Sequence, residues 1–210
     1  MIKLIDKLEG TREKEVLVQM EEAYKRISFE QEQWFQKSRF TCPEGCGSCC
    51  HNFEPDLLEC EALYMAAWLL ENQSETAEKV GQGIFPFDNG KTCPFYNPDN
   101  PYHCSIYEGR PFVCRLFGAS GTKGKTGETV FKPCKFYPLK ELEKRNPPLA
   151  HRQYSEEEVK SIFGILPPVM SDMMESAVSI NPENHDTVII REILPAAIQR
   201  LKWIISMIQD

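Results

Sequence analysis

Apolar positions fall into helical steps at both ends of the chain and lose that rhythm in the middle. Near the start, Val16, Met20, Ala23, Ile27 and Trp34 recur at intervals of 4, 3, 4 and 7, the repeat of one helix face. A second helix is predicted from Asp56 to Leu70, with Asp56 as N-cap or first-turn carboxylate. Leu57, Glu61, Tyr64 and Trp68 form one side of it, and Leu58, Met65 and Leu69 the neighbouring apolar side. Gly81 and Gly83 end a shorter helical stretch. Irregular segments follow, such as 97–103. Val113 to Gly118 and Glu128 to Phe131 read as short strands joined by the Gly/Lys/Thr turn at 119–127. Ser155 and Glu158 then form a capping-box signature ahead of Val159, Ile162 and Phe163. Pro167 and Pro168 interrupt the pattern. A last helix is predicted over about Pro195 to Ile208, with Ile198, Leu201, Ile205 and Ile208 on one face and Pro195 in its first turn. No fixed-period repeat is visible.

These elements define three zones of one expected domain, 1–210. Residues 1–40 and 139–210 are helical segments whose apolar faces read as core packing. Residues 41–138 hold every cysteine and ten of the twelve glycines. The expected fold class is mainly α, with helical N- and C-terminal segments around an irregular Cys-rich metal-binding centre and a short β-hairpin. In the irregular stretches, metal bonds are expected to stand in for a hydrophobic core.

Composition narrows the function. Hydrophobic residues make up 41% and charged residues 26% of the chain, values of a globular protein. The net charge of −7 disfavours a general nucleic-acid binder, which needs a basic field. Charges break up the opening MIKLIDKLEGTREKE, so no signal-peptide apolar core is seen there. The longest apolar run, Leu63 to Leu70, is too short to span a bilayer. The expectation is therefore a cytoplasmic protein with no membrane and no nucleic-acid partner, while a protein partner stays open. In a reducing cytoplasm, clustered cysteines bind metal more often than they form disulfides.

The nine cysteines are an odd number, which rules out complete internal pairing. Cys42, Cys46, Cys49 and Cys50 fall within nine residues, and the two-residue gap between Cys46 and Cys49 lets two thiolates bend around one centre. Gly45 and Gly47 permit tight turns and free backbone N–H groups for metal-bound sulfur. Adjacent Cys49 and Cys50 suit two different metal atoms, whether in one cluster or in neighbouring sites. Cys93, Cys104, Cys114 and Cys134 are dispersed behind this loop. Cys60, among Leu57, Leu58 and Leu63, reads as a packing residue. His51 and His103 adjoin candidate ligands without being counted among them. Segment 91–135 carries seven Lys or Arg against three acids, a local +4 in an acidic chain. Four thiolates around Zn²⁺ or a 4Fe–4S core leave a formal −2, which such cations would offset.

The run Cys42…Cys46-Gly-Ser-Cys49-Cys50, then Cys93-Pro, then Cys104-Ser-Ile-Tyr107-Glu-Gly-Arg110-Pro-Phe-Val-Cys114-Arg115, resembles a bacterial cysteine-cluster family. That family is described as a zinc- or iron-chelating domain with the signature CxxCxxCC. It is also called YkgJ-like and includes flagellin lysine N-methylases. The resemblance spans about residues 42–115. Three residues separate Cys42 from Cys46 where the signature has two.

The resemblance implies metal binding, with iron–sulfur the version commonly suggested. The leading expectation is an iron–sulfur (4Fe–4S) protein with a structural or redox role. Its ligands would be Cys46, Cys49, Cys50, Cys93, Cys104 and Cys114, with Cys42 and Cys134 as additions. Tyr107, Arg110 and Arg115 would line the cofactor. One alternative is a zinc-stabilised interaction module. A second is a protein-modifying enzyme such as a lysine N-methylase, for which Gly118 to Gly127 is the one Gly-rich candidate and fits a surface hairpin better than a nucleotide loop.

Overall fold

A computed structural model of the chain describes residues 2–41, 46–51, 53–88, 90, 92–100, 102–118, 120–180 and 184–209. In chain order its elements are α1 (Arg12–Ser38), β1 (Asp56–Leu57), α2 (Glu59–Asn72), α3 (Ser74–Gly81), α4 (Phe112–Leu116), β2 (Thr122–Lys123), β3 (Thr129–Val130), α5 (Leu139–Glu143), α6 (Glu156–Phe163), α7 (Met170–Val178), β4 (Val188–Ile189) and α8 (Ile190–Gln209). Single 3₁₀ turns occupy Lys3–Leu8 and Tyr107–Gly109. The fold is mainly α, with two short antiparallel strand pairs, β1 with β4 and β2 with β3. Among the described residues, no helix is long and apolar enough to cross a membrane.

Helix α1 opens where the Thr11 hydroxyl accepts the Lys14 N–H, and it closes on left-handed Arg39, whose N–H reaches the Phe35 carbonyl at 2.8 Å. Its buried stripe is Leu17, Met20, Tyr24, Ile27 and Trp34. Val16 and Ala23, expected on that face, sit half-buried at its edge. The stripe turns toward Tyr24 because that ring packs at 4.7 Å against both Tyr64 and Phe112.

Two cores share this helix. The larger joins the first 3₁₀ turn and the first part of α1 to α2, α3, α7 and α8, and the smaller gathers Trp34, Phe40, Phe131, Leu142, Leu149, Tyr154 and Val159. Helix α2 runs through the larger core and buries Cys60, Ala62, Leu63, Met65, Ala66 and Leu69. Each large aliphatic side chain buried this way contributes about 1.5–3 kcal/mol.

Several expectations need correction. Helix α2 starts three residues after Asp56. Asp56 and Leu57 pair as a strand with Ile189 and Val188, and the Glu61 carboxylate reaches back to the Leu58 N–H at 2.9 Å. Residues 113–118 form a helical turn and not a strand. Pro111 fixes the backbone at φ −72, Glu61 accepts the Phe112 N–H at 2.7 Å, and left-handed Gly118 follows the helix. The hairpin is real, but its strands are Thr122–Lys123 and Thr129–Val130. Helix α8 begins at Ile190, where that N–H meets the Pro55 carbonyl, so Pro195 lies inside it. The lost bond and ring clash cost about 3 kcal/mol. Burial of Leu194, Ile198 and Leu201 offsets that cost, while Ile208 in the last turn is 43% exposed. Finally, the irregular stretch does have a core, because Phe95, Ile106, Phe112 and Leu116 are buried in the larger one.

The remaining boundaries follow the sequence. Gly83 at φ 81 follows the end of α3. Ser155 and Glu158 exchange their capping-box bonds, Glu158 N–H to the Ser155 hydroxyl and Ser155 N–H to the Glu158 carboxylate.

Candidate metal centre

The cysteines lie where the two cores meet. Helix α1 contributes Gln31, between Ile27 of one core and Trp34 of the other, and Phe35, which packs against the smaller core. A cavity of about 300 Å³ opens there, lined by Cys46, Cys49, Cys50, Cys93, Cys104 and Cys114. Tyr107, Arg110 and Arg115 line it too, together with His103, Tyr96 and Phe53. The structure thus gathers six of the eight expected ligand cysteines, and all three expected cofactor-lining residues, around one space. Cys134 is outside that lining, yet it is close enough to Cys46 and Cys49 to feel their charge. Cys42 lies outside the described residues. Cys60 is 2% exposed in α2, its sulfur 3.7 Å from the Ala177 carbonyl, which is a packing position.

Each loop is fixed by local chemistry. In the first loop, the Cys50 N–H closes a turn on the Gly47 carbonyl, and the Cys49 and Cys50 sulfurs are 3.9 Å apart. Gly47 is required because a Cβ there would fall 2.4 Å from the His103 ring. The second group is pinned by a bridge between Tyr96 and Cys104 and by the Ser105 N–H on the Phe95 carbonyl. Cys114 rides on α4, whose first N–H is taken by Glu61 and whose Arg115 carbonyl accepts from Gln31 at 2.6 Å. Glu61 is 1% exposed. Burial pushes its carboxyl up to about 7, against two backbone N–H bonds and Arg115, which pull it down.

The arginines are held by contacts within the protein. Arg110 stacks 3.4 Å over the Tyr107 ring, and its Nε donates to the Tyr107 carbonyl. Arg115 donates Nε to the Arg110 carbonyl and a terminal nitrogen to the Glu108 carbonyl, and lies 3.9 Å over the Tyr24 ring. Sequence reasoning marked both arginines. It missed Glu61, Gln31 and Arg191, the last of which binds the Glu54 carboxylate and the Thr92 carbonyl; all three act over long sequence separations and leave no local signature.

Burial and neighbouring sulfurs hold the thiols toward their neutral form. Burial pushes Cys93 up to about 12, and burial with neighbouring Cys93 and Cys104 carries Cys114 well above the ordinary thiol range. The Cys50 sulfur is the first cause of the rise at Cys49, ahead of burial. Arg110 opposes the rise at Cys49, Cys104 and Cys114. A cation entering this space would supply the missing stabilisation of thiolate. Among the described residues, no three His, Cys, Asp or Glu side chains close on a single ion. The thiols instead surround a volume about ten times the ~30 Å³ share of one liquid water.

Comparison with curated proteins and with solved structures finds no match. A family model does match, over residues 41–156, which is more than half of the chain. By that match the chain belongs to the CxxCxxCC family, described as "Putative zinc- or iron-chelating domain".

Proposed function

We propose that the cavity thiols hold an iron–sulfur cluster with a structural or redox role. One observation carries this reading. Six thiols line one cavity of about 300 Å³, with Arg110 and Arg115 beside them. A multi-atom core fits that distribution better than a bare ion does. Cys49, Cys93, Cys104 and Cys114 would be its nearest ligands, since Cys93 feels the charge of Cys104, Cys104 that of Cys49, and Cys114 that of all three. Arg110 and Arg115 would offset the negative charge of the thiolate-bound core. Such a cluster supplies one-electron chemistry or a covalent staple between loops.

Zinc is the second reading, favoured by Cys134. It sits beside Cys46 and Cys49 but outside the cavity lining, where a small separate ion would suit it. Purification without air, a visible spectrum, and counts of iron, sulfide and zinc per chain decide between them. Brown protein with stoichiometric sulfide is expected. Colourless protein with stoichiometric zinc from anaerobic cells would overturn the cluster.

A further inference from the structure

Among the described residues, Glu61 is the most deeply buried carboxyl, 1% exposed in the first turn of α2. Its two oxygens accept the Leu58 N–H at 2.9 Å and the Phe112 N–H at 2.7 Å. Among the described residues, no cation lies within ion-pair distance of it. A carboxylate taken out of water with two N–H bonds and no paired cation lies near the balance between its charged and neutral forms.

This carboxyl is tied to the thiol centre in two ways. Phe112, whose N–H it holds, opens α4, the helix that carries Cys114. Arg115 lines the cavity, and its charge acts on both the Glu61 carboxyl and the Cys104 thiol. Arg115 spends its N–H groups on the Arg110 and Glu108 carbonyls, so its positive charge is shared between the carboxylate and the thiols. The other titratable groups around Glu61 are Tyr24 on α1 and Cys60 and Tyr64 on α2, and Tyr64 also faces Glu21 and Glu108. Burial holds Tyr24, Tyr64 and Cys60 neutral, which leaves Glu61 as the member of this group that titrates near neutrality. The Tyr24 hydroxyl is buried without a hydrogen-bond partner, an uncommitted oxygen within range of the carboxyl's charge.

We infer that Glu61 takes up a proton when the metal centre accepts an electron and releases it when the electron leaves. The inference rests on the redox form of the cluster reading. The electron comes from a low-potential one-electron donor and reduces the iron–sulfur core. The proton comes from solvent and forms an O–H bond on a carboxylate oxygen of Glu61, and no other bond forms or breaks. Negative charge added in the cavity competes with the carboxylate for the field of Arg115, so the carboxylate gives up its own charge. The coupling is reciprocal: a neutral Glu61 favours the reduced centre, and the midpoint potential falls as pH rises through the window where Glu61 loses its proton.

The test uses the full chain, metal-loaded and kept from air, with dithionite as the electron donor and dye mediators. Above pH about 7 the midpoint potential should fall with rising pH. The steepest slope expected is about tenfold in the reduction equilibrium per pH unit, about 59 mV for one electron. Glu61→Gln should give a potential that does not change with pH over the same range. Should Glu61→Gln shed its metal, the native protein still decides. Reduction in weakly buffered solution should take up protons from an indicator dye, and the infrared difference spectrum should gain the C=O band of a protonated carboxyl. A flat potential in the native protein, a slope that survives in Glu61→Gln, or reduction with neither proton uptake nor the carboxyl band would overturn the inference and leave the cluster in place. A centre that accepts no electron would overturn the redox role itself, and the inference with it.

Discussion

Arg191 holds the first cysteine loop to the second. Its Nε lies 2.9 and 3.0 Å from the two oxygens of Glu54, four residues past Cys50, and a terminal nitrogen donates at 2.8 Å to the carbonyl of Thr92, next to Cys93. Another terminal nitrogen meets Asp88. Its side chain is only 18% exposed, so these charged bonds are partly shielded from water.

Replacing Arg191 with Ala should therefore cost about 1–3 kcal/mol of stability, the range for hydrogen bonds to charged groups. Bound metal should also leave faster in the presence of a chelator. Arg191→Lys should recover part of the stability but not the slow release, because an ammonium cannot span three acceptors as a planar fork does. Urea unfolding and stopped-flow chelator competition separate the two effects.

Glu61 makes stability depend on pH with a definite sign. Its folded carboxyl titrates near 7 against an ordinary value of 4.5. Between those values the folded protein binds more protons than the unfolded one, so stability falls as pH rises through this window and levels off above 7. The raised carboxyl accounts for about 3 kcal/mol at most. Glu61→Gln should flatten this slope while lowering stability overall, since one of the two N–H groups loses its acceptor. Thermal melts across pH 4.5–8 check both effects.

Much of this architecture was readable from periodicity and spacing. The long helices, the α6 capping box and the grouping of cysteines rest on local patterns that survive in any context. What stayed hidden depends on contacts between distant segments. Asp56 looked like a helix cap because nothing nearby announces that residues 188–189 will claim its backbone. Val113 suggested a strand, yet Pro111 and a carboxylate on another helix turned the segment around Cys114 helical. Arg191 and Glu61 were silent for the same reason, since each acts on a loop far away in sequence.

The cysteines should separate into two classes on substitution. Cys49→Ser should lose metal and stability together. Cys60→Ser should keep full metal content and cost only about 1–3 kcal/mol for burying a poorly satisfied hydroxyl. Metal analysis beside a denaturation curve reads both quantities, and metal loss in Cys60→Ser would refute the division.

Gly47→Ala should lower metal content by driving a methyl group into the His103 ring, an overpacking strain of about 1–3 kcal/mol. His103 itself has φ 51, so His103→Gly removes the obstructing ring and suits the backbone at once. The double variant should regain metal relative to Gly47→Ala alone.

Metal removal should loosen the protein unevenly. Hydrogen exchange should rise at 46–51, 92–100 and 102–106, which carry thiols and lie outside the helices, while α2 and α8 keep their protection inside the larger core. Uniform exchange across the chain on metal loss would show that the cores and the centre unfold as one unit.

The family match ends at residue 156, but the physical unit does not. Helix α8, beyond that boundary, covers α2 and supplies Arg191, while α1, before it, walls the cavity with Gln31 and Phe35. The matched stretch is thus an inlay and not a cassette. Grafted into another scaffold, residues 41–156 would arrive with the apolar flank of α2 bare and the two thiol loops unlatched. An engineered host would have to reproduce the flanking helices before it could inherit the chemistry.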